Sequence, residues 1–265
     1  MVSSHGSVSL NNGSSLTLIG PGERSWCVGF QTAINTPPEE DYYMVEKKFL
    51  TLTDYQRFPE MEMKKRSSEF YTEMKRRHTV RDFSDQPVDR GIIENCLRAA
   101  ATAPSGANQQ PWTFVAVSDP AVKRRIRDAA EKIEKKFYSK DATRKWVNDL
   151  EHLGTGPRKP FLETAPWLIA VFSQLYGYSA NGEKKKHYYV LESMGIATGM
   201  LITGLHHAGL VSLTYTPADM RFLNKILSRP SNEKPFMILV AGYPSADALV
   251  PGIPKKSLED IAEFI

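Results

Sequence analysis

Cysteine is nearly missing from this chain. Two occur in 265 residues, Cys27 and Cys96, which excludes a disulfide framework or a thiolate metal site and favours a reducing compartment. Cys96 falls on the apolar stripe Ile92, Ile93, Cys96, Leu97 and is expected in the core. Also missing is an uncharged apolar run of about 20 residues, the length a membrane-spanning helix needs. The most apolar window, Tyr188–Val211, carries Glu192, His206 and His207 and reads as a buried helix. No basic, then apolar leader opens the chain, so no targeting signal is read and a cytoplasmic location is expected. A strong charge of one sign is absent too: the net charge of +4 suits small anionic ligands but does not argue for nucleic acid. GxGxxG after a strand, GxSxG and GxxxxGKS/T do not occur, and the six histidines lack HExxH spacing. These gaps exclude a Rossmann dinucleotide site, a nucleophile elbow and a P-loop, and they leave no metal site to expect.

What the chain does have is a cationic cluster. Arg76–Phe83 (RRHTVRDF) packs Arg76, Arg77, His78 and Arg81 around a threonine. One helix later comes Thr102–Trp112 (TAPSGANQQPW), a turn of small residues. Cations suit a phosphate, and bare backbone lets a flat ring approach. A solvated basic face is the plain alternative. Arg81 could pair with Asp82 or Asp85, Thr79 could cap a helix, and Lys255 and Lys256 could simply face water.

Residues 1–40 are rich in Ser, Gly, Asn and Pro and read as a disordered leader. Residues 41–58 form a transition segment that could pack on the body, and 59–265 form one domain. Helical spacing covers Glu60–Arg77, with Met63, Ser67, Phe70 and Met74 on one stripe. Asp89 caps a helix running to about Ala101, and Asp119–Pro120 starts a charged helix to about Ser139. Lys140–Lys159 reads as polar and irregular. Further helices are expected over Tyr188–Ala208, over Pro217–Ser228 and from Ser257. Short β-rich runs predict strands at Trp112–Val117, Pro166–Ser173, Leu210–Tyr215 and Pro235–Gly242. Strands separated by helices without a full βαβ rhythm predict an α+β fold, a central mixed sheet flanked by helices.

With RRHTVRDFSDQPV, TAPSGANQQPWTFVAVSDP, GLVSLTYTP and VAGYPS in view, the chain resembles the nitroreductase-like flavoprotein superfamily. Within it, EKIEKKFY, RKWVNDLEHL and NGEKKKHYYVLESMGIATGMLI resemble the iodotyrosine deiodinase family. The similarity runs from about Pro59 to the end. It implies an FMN cofactor at the interface of a homodimer with exchanged tails. It also implies that Arg77, His78, Thr79, Val80 and Arg81 bind the flavin and its phosphate. Ser105 would contact the flavin, Thr214, Tyr215 and Thr216 would run beneath it, and Lys255 would be a basic phosphate ligand. Thr216 carries the catalytic assignment, a hydrogen bond to flavin N5 that favours passing electrons singly. Glu134, Tyr138 and Lys159 would chelate a zwitterionic amino acid, and the Ala107 N–H would meet its phenolate. The implied reaction is reductive dehalogenation of halotyrosines, with electrons ultimately from NAD(P)H, possible through a separate reductase. Tyr215 stands where the family commonly has threonine, and Lys255 where arginine is more usual. Vertebrate members have an N-terminal membrane anchor that is not seen here, so a soluble form is expected. A general NAD(P)H-dependent nitroreductase or flavin reductase of the same fold stays open as an alternative, as does a flavin-binding regulatory protein without turnover.

Overall fold

The computed structural model describes residues 49–139 and 144–265. The expected leader, most of the transition segment and residues 140–143 lie outside the described residues. The chain divides into two units, Met1–Arg57 and Phe58–Ile265. Residues 49–57 hold no helix or strand, and everything below concerns the second unit.

Its helices are α1 (Glu60–Lys75), α2 (Arg90–Ala101), α3 (Pro120–Tyr138), α4 (Arg144–Glu151), α5 (Phe161–Thr164), α6 (Val190–His207) and α7 (Phe222–Ile226). The strands are β1 (Trp112–Val117), β2 (Trp167–Gln174), β3 (Tyr176–Tyr178), β4 (Lys184–Lys186), β5 (Val211–Tyr215) and β6 (Glu233–Gly242). Four of them form a sheet in the order β1-β2-β6-β5. The side-chain period of two builds two cores on this sheet. Leu168, Ala170 and Phe172 of β2 join Ile126, Ala130, Phe161 and Leu223 on one face. Ile169 and Val171 join Ile93, Cys96, Met194, Leu201 and Leu205 on the other. Helices therefore cover both faces: α3, α5 and α7 on the first, α2 and α6 on the second. This is the expected α+β architecture. Cys96 is buried as expected, which raises its thiol pKa.

The neighbouring pairs in the sheet are all antiparallel. The parallel component of a mixed sheet is confined to one bridge, Thr79 to Ser212, at the β5 edge. That bridge matters, because it lashes the arginine motif to β5: Val80 N donates to Ser212 O at 3.3 Å. Thr79 is thus an edge residue and not a helix cap. A bulge in β6 lets Phe172 pair with Pro235 and skips Phe236.

Asp89 and Asp119 cap α2 and α3 as predicted, accepting from Gly91 N at 2.8 Å and Val122 N at 2.9 Å. Elsewhere the elements differ from the sequence pattern. The 140–159 stretch contains α4. The helix predicted over Pro217–Ser228 shrinks to α7, and the tail has only a turn at 258–261. A hairpin, β3–β4, was not expected at all. α6 starts at Val190 because Tyr189 is left-handed (φ 49°). It is buried on one face only: Leu191 and Ile196 are exposed, and a Cβ on Gly195 or Gly199 would meet nothing within 4 Å. α1 is amphipathic in sequence, yet none of its residues is buried in the single chain. No helix among the described residues is long and apolar enough to cross a membrane.

Candidate functional site

Two clusters lie side by side at the β5 edge. The first is a cavity of about 430 Å³ lined by Lys75, Arg77, His78, Thr79, Arg81, Leu153, Thr214, Val250, Pro251, Ile253 and Lys255. Five of those residues are basic and none is acidic. Among the described residues Arg77, Arg81 and Lys255 have no ion-pair partner, and Arg81 bonds neither Asp82 nor Asp85. Uncompensated cations around a cavity of this size fit a phosphorylated ligand. Both the Thr79–Ser212 bridge and the Thr214 position on β5 hold the arginine motif against this space.

The second cluster is buried beneath α3. Arg127, Glu131, Glu134 and Tyr138 recur at helical spacing, so they share one face. Glu131 bonds the backbone of the segment opposite: Lys159 N donates to its Oε1 at 2.8 Å, and so does Arg127 Nε at 2.9 Å. Arg127 continues to Glu163 at 3.0 Å and Arg124 to Glu163 at 3.1 Å. Burial opposes the Glu131 charge, but the Lys159 N–H and Arg127 outweigh it and hold the carboxyl below its ordinary range. This brace fixes Lys159. Its Nζ then lies 3.5 Å from Glu134 Oε2 and donates to Thr155 Oγ1 at 3.0 Å. Tyr138 Oη donates to Thr155 O at 3.3 Å, and Tyr215 Oη donates to Glu134 Oε1 at 2.9 Å.

Electrostatics joins the two clusters. Burial pulls the Lys159 ammonium below the usual lysine range; Glu134 opposes this, and the Arg81 charge adds to it. For Tyr138, burial raises the phenol pKa, and the Arg81 charge works the other way. Arg81, on the cavity wall, is therefore within electrostatic reach of both.

Of the residues singled out from sequence, Arg77, His78, Thr79, Arg81, Thr214 and Lys255 line the one cavity. Glu134, Tyr138 and Lys159 meet in the buried cluster. Val80 does not reach the cationic cavity: its side chain is 4% exposed and buried among the core, and only its backbone is engaged at the edge. Tyr215 also points elsewhere. Side chains alternate along β5, so Thr214 is exposed while Tyr215 turns to the opposite face, 7% exposed, among the core of α3 and α5. Thr216, one residue past β5, is exposed and does not line the cavity.

Ser105 and Ala107 sit apart from that cavity, on a tight turn. Ala107, Asn108 and Gln110 are left-handed at φ 49°, 52° and 48°, and such clusters of non-glycine residues mark built sites. Ser105 Oγ accepts from Gln110 N at 2.9 Å, and Asn108 N donates to Ser105 O at 3.0 Å. Ala107 N–H has no acceptor among the described residues. A Cβ on Gly106 would meet Tyr188 O at 2.8 Å, so the turn presses on the entry to α6. Gln109 ties it down from both ends of its amide, donating to Lys186 O at 3.2 Å and accepting from Tyr188 N at 2.7 Å.

The profile of the Nitroreductase family matches residues 74–243. The chain belongs to the nitroreductase family. Among similar members, the iodotyrosine deiodinase of Haliscomenobacter hydrossis is 50% identical over 199 residues, 75% of this chain and 90% of that protein. Iodotyrosine deiodinase of Nematostella vectensis is 47% identical over 203 residues, 76% of this chain and 77% of that one. Human iodotyrosine deiodinase 1 is 47% identical over 205 residues, 77% and 71% respectively. A crystal structure of oxidized iodotyrosine deiodinase bound to FMN and 3-iodo-L-tyrosine aligns with a TM-score of 0.62 and 33% identity, covering 74% of this chain and 98% of that one. A BluB-like flavoprotein from Clostridium difficile aligns at 0.57 and 21% identity over 74% of this chain and 98% of its own, a likeness of fold alone.

Sequence reasoning missed Thr155 and the inward role of Tyr215. Thr155 sits four residues before Lys159 in a loop with no helical register to mark it. Tyr215 was visible as a departure, but only strand alternation, once the edges of β5 are known, assigns its direction.

Proposed function

We propose that this member of the nitroreductase family binds FMN in the cationic cavity and reductively dehalogenates halotyrosines. The observation that carries the reading is the meeting of buried Glu134 and Lys159 with half-buried Tyr138 in one cluster beside Arg81 of that cavity. A carboxylate, a phenol and an ammonium are the complement of a free amino acid's zwitterionic end. A general flavin reductase has no use for them.

Arg77, Arg81 and Lys255 neutralise the phosphate, with Lys255 as a point charge where arginine would chelate. The backbone from Thr79 to Val80 and from Thr214 to Thr216 would border the ring, and Ser105 would contact it from a second copy of the chain. Thr216, exposed two residues past the cavity-lining Thr214, would donate from its hydroxyl to the flavin ring. Bound FMN supplies the electrons.

Glu134 accepts from the substrate's ammonium, Lys159 pairs with its carboxylate, and Tyr138 donates to the same carboxylate. Ala107 N–H donates to the phenolate and holds the ring in place. Burial of Glu134 and Lys159, with Tyr138 half-buried beside them, limits water at the clamp and helps orient the carbon–halogen bond. Overall, two electrons and one proton enter, a C–H bond replaces the carbon–halogen bond, and halide leaves.

A homodimer completes this site. In the single chain Ser105 and Ala107 do not line the cavity, α1 is unburied, and α6 exposes Leu191, Gly195, Ile196 and Gly199. Packing of those faces against a second copy covers them; in that pair the tail carrying Lys255 can serve either cavity. A separate NAD(P)H-dependent reductase serves as electron source.

The deciding experiment is single-turnover halide release. Dithionite-reduced holoprotein is mixed with 3-iodotyrosine and iodide is measured. Stoichiometric release, with far weaker binding of 2-iodophenol in flavin-fluorescence titration, is the expected result. Equal binding of the two ligands would assign the chain to general flavin reduction, and binding without release would leave a sensor.

A further inference from the structure

The Tyr215 side chain has no part in the proposed chemistry, and its surroundings are specific. Its hydroxyl donates to Glu134 Oε1 at 2.9 Å. Its ring meets Phe161 edge to face, with centroids 5.6 Å apart. The Lys159 ammonium lies 5.5 Å from the Tyr215 ring centroid and 5.7 Å from that of Tyr138, held between two aromatic faces. Burial, then the Glu134 charge, raises the phenol pKa, so the hydroxyl keeps its proton and stays a donor. One side chain thus touches both charged members of the clamp.

We propose that Tyr215 is a positioning residue for recognition of the substrate's amino-acid end, resting on the halotyrosine reading above. Without ligand, Glu134 and Lys159 satisfy each other. When a zwitterion enters, Lys159 must turn from Glu134 to the incoming carboxylate, and the Glu134 carboxylate loses its cation as the ammonium arrives. The Tyr215 hydroxyl anchors Oε1 throughout the exchange, so Oε2 stays aimed at the ammonium. The ring faces give the lysine cation a surface to slide along while it changes partners. A side chain shorter than tyrosine would not span from β5 to α3. Because Thr214, the preceding residue, lines the cationic cavity, Tyr215 also ties the clamp to the strand that borders the cofactor.

The test is Tyr215→Phe, which keeps the ring and its packing and removes the donor, assayed as FMN-loaded holoprotein. The dissociation constant for 3-iodotyrosine is expected to rise roughly ten- to hundredfold, as for a lost hydrogen bond to a charged group. Affinities for 2-iodophenol and for FMN should change less than about threefold. In a Glu134→Gln background, Tyr215→Phe should add less than about threefold, because the two act through one contact. Wild-type discrimination surviving Tyr215→Phe unchanged overturns the inference alone. A parallel loss of affinity for iodotyrosine, iodophenol and FMN also overturns it, by making Tyr215 a structural residue. Wild-type protein that binds iodotyrosine and iodophenol alike overturns the halotyrosine reading and this inference with it.

Discussion

The Glu134 carboxylate and the Lys159 ammonium face each other at 3.5 Å, with side chains 9% and 5% exposed. Two buried charges at this distance each depend on the other, and removing one strands its partner at a cost of about 3–5 kcal/mol. Glu134→Gln is therefore expected to destabilise the protein at neutral pH and to weaken halotyrosine binding by about 1.5–3 kcal/mol, while FMN stays bound. Urea denaturation and fluorescence titration measure the two effects. Unchanged ligand affinity would remove Glu134 from the clamp.

Lys159 sets a pH dependence. Its ammonium is held below the ordinary lysine value, chiefly by burial. The folded protein thus releases this proton before the unfolded chain does. Over the window between the lowered and ordinary values, the unfolded state binds more protons, so the lysine's contribution makes stability rise with pH. Ligand binding runs the opposite way, since a neutral lysine no longer pairs with a carboxylate. Lys159→Arg keeps its charge throughout, and its halotyrosine affinity is expected to persist to higher pH than that of the wild type. Titrating both proteins with the same ligand cancels the ligand's own ionisation; coincident alkaline limbs would count against Lys159 as the carboxylate partner.

Among the described residues Arg77 and Arg81 have no carboxylate partner, so truncating them strands no buried anion there. Arg77→Ala and Arg81→Ala should each weaken FMN binding by about 1.5–3 kcal/mol with unfolding midpoints close to wild type. Reconstitution of the apoprotein followed by flavin fluorescence measures this. A large fall in thermal stability with intact flavin affinity would recast both as structural residues.

Gly195 and Gly199 lie one turn apart on the exposed side of α6, and added side chains there meet nothing in the single chain. Gly195→Leu should leave the chain folded, with helix propensity improved by about 1 kcal/mol. Against a second copy packed on α6 the same side chain clashes. Sedimentation should show monomer in the variant and dimer in the wild type, with FMN lost in parallel. A monomeric wild type that retains flavin would sink the two-chain site.

Local chemistry was the most readable part of the sequence. Asp89 and Asp119 announce helix starts because a short acceptor before a helix has one obvious task, and the strand cores announce themselves by β-branched residues. Helical spacing alone misleads at α1: Met63 and Phe70 recur on one side of the helix, yet both are exposed among the described residues. The clamp residues Glu134 and Tyr138 share a face by simple spacing. Their meeting with Lys159 depends on the Arg127–Glu131 brace, a tertiary arrangement with no local signature. The inward turn of Tyr215 follows from strand parity, so an error of one residue in β5 reverses it.

A clamp that reads an ammonium and a carboxylate reads them equally well in tyrosine, the dehalogenated product. Telling the two apart falls to the far end of the ligand. A halogen beside the phenol makes it more acidic, so the halotyrosine presents an oxyanion where tyrosine presents a neutral hydroxyl. The Ala107 N–H, on a left-handed turn and without an acceptor among the described residues, would favour the anion. On the proposed reading, loss of the halogen would raise the phenol pKa and weaken this contact, so that the backbone of one alanine would favour release of the product.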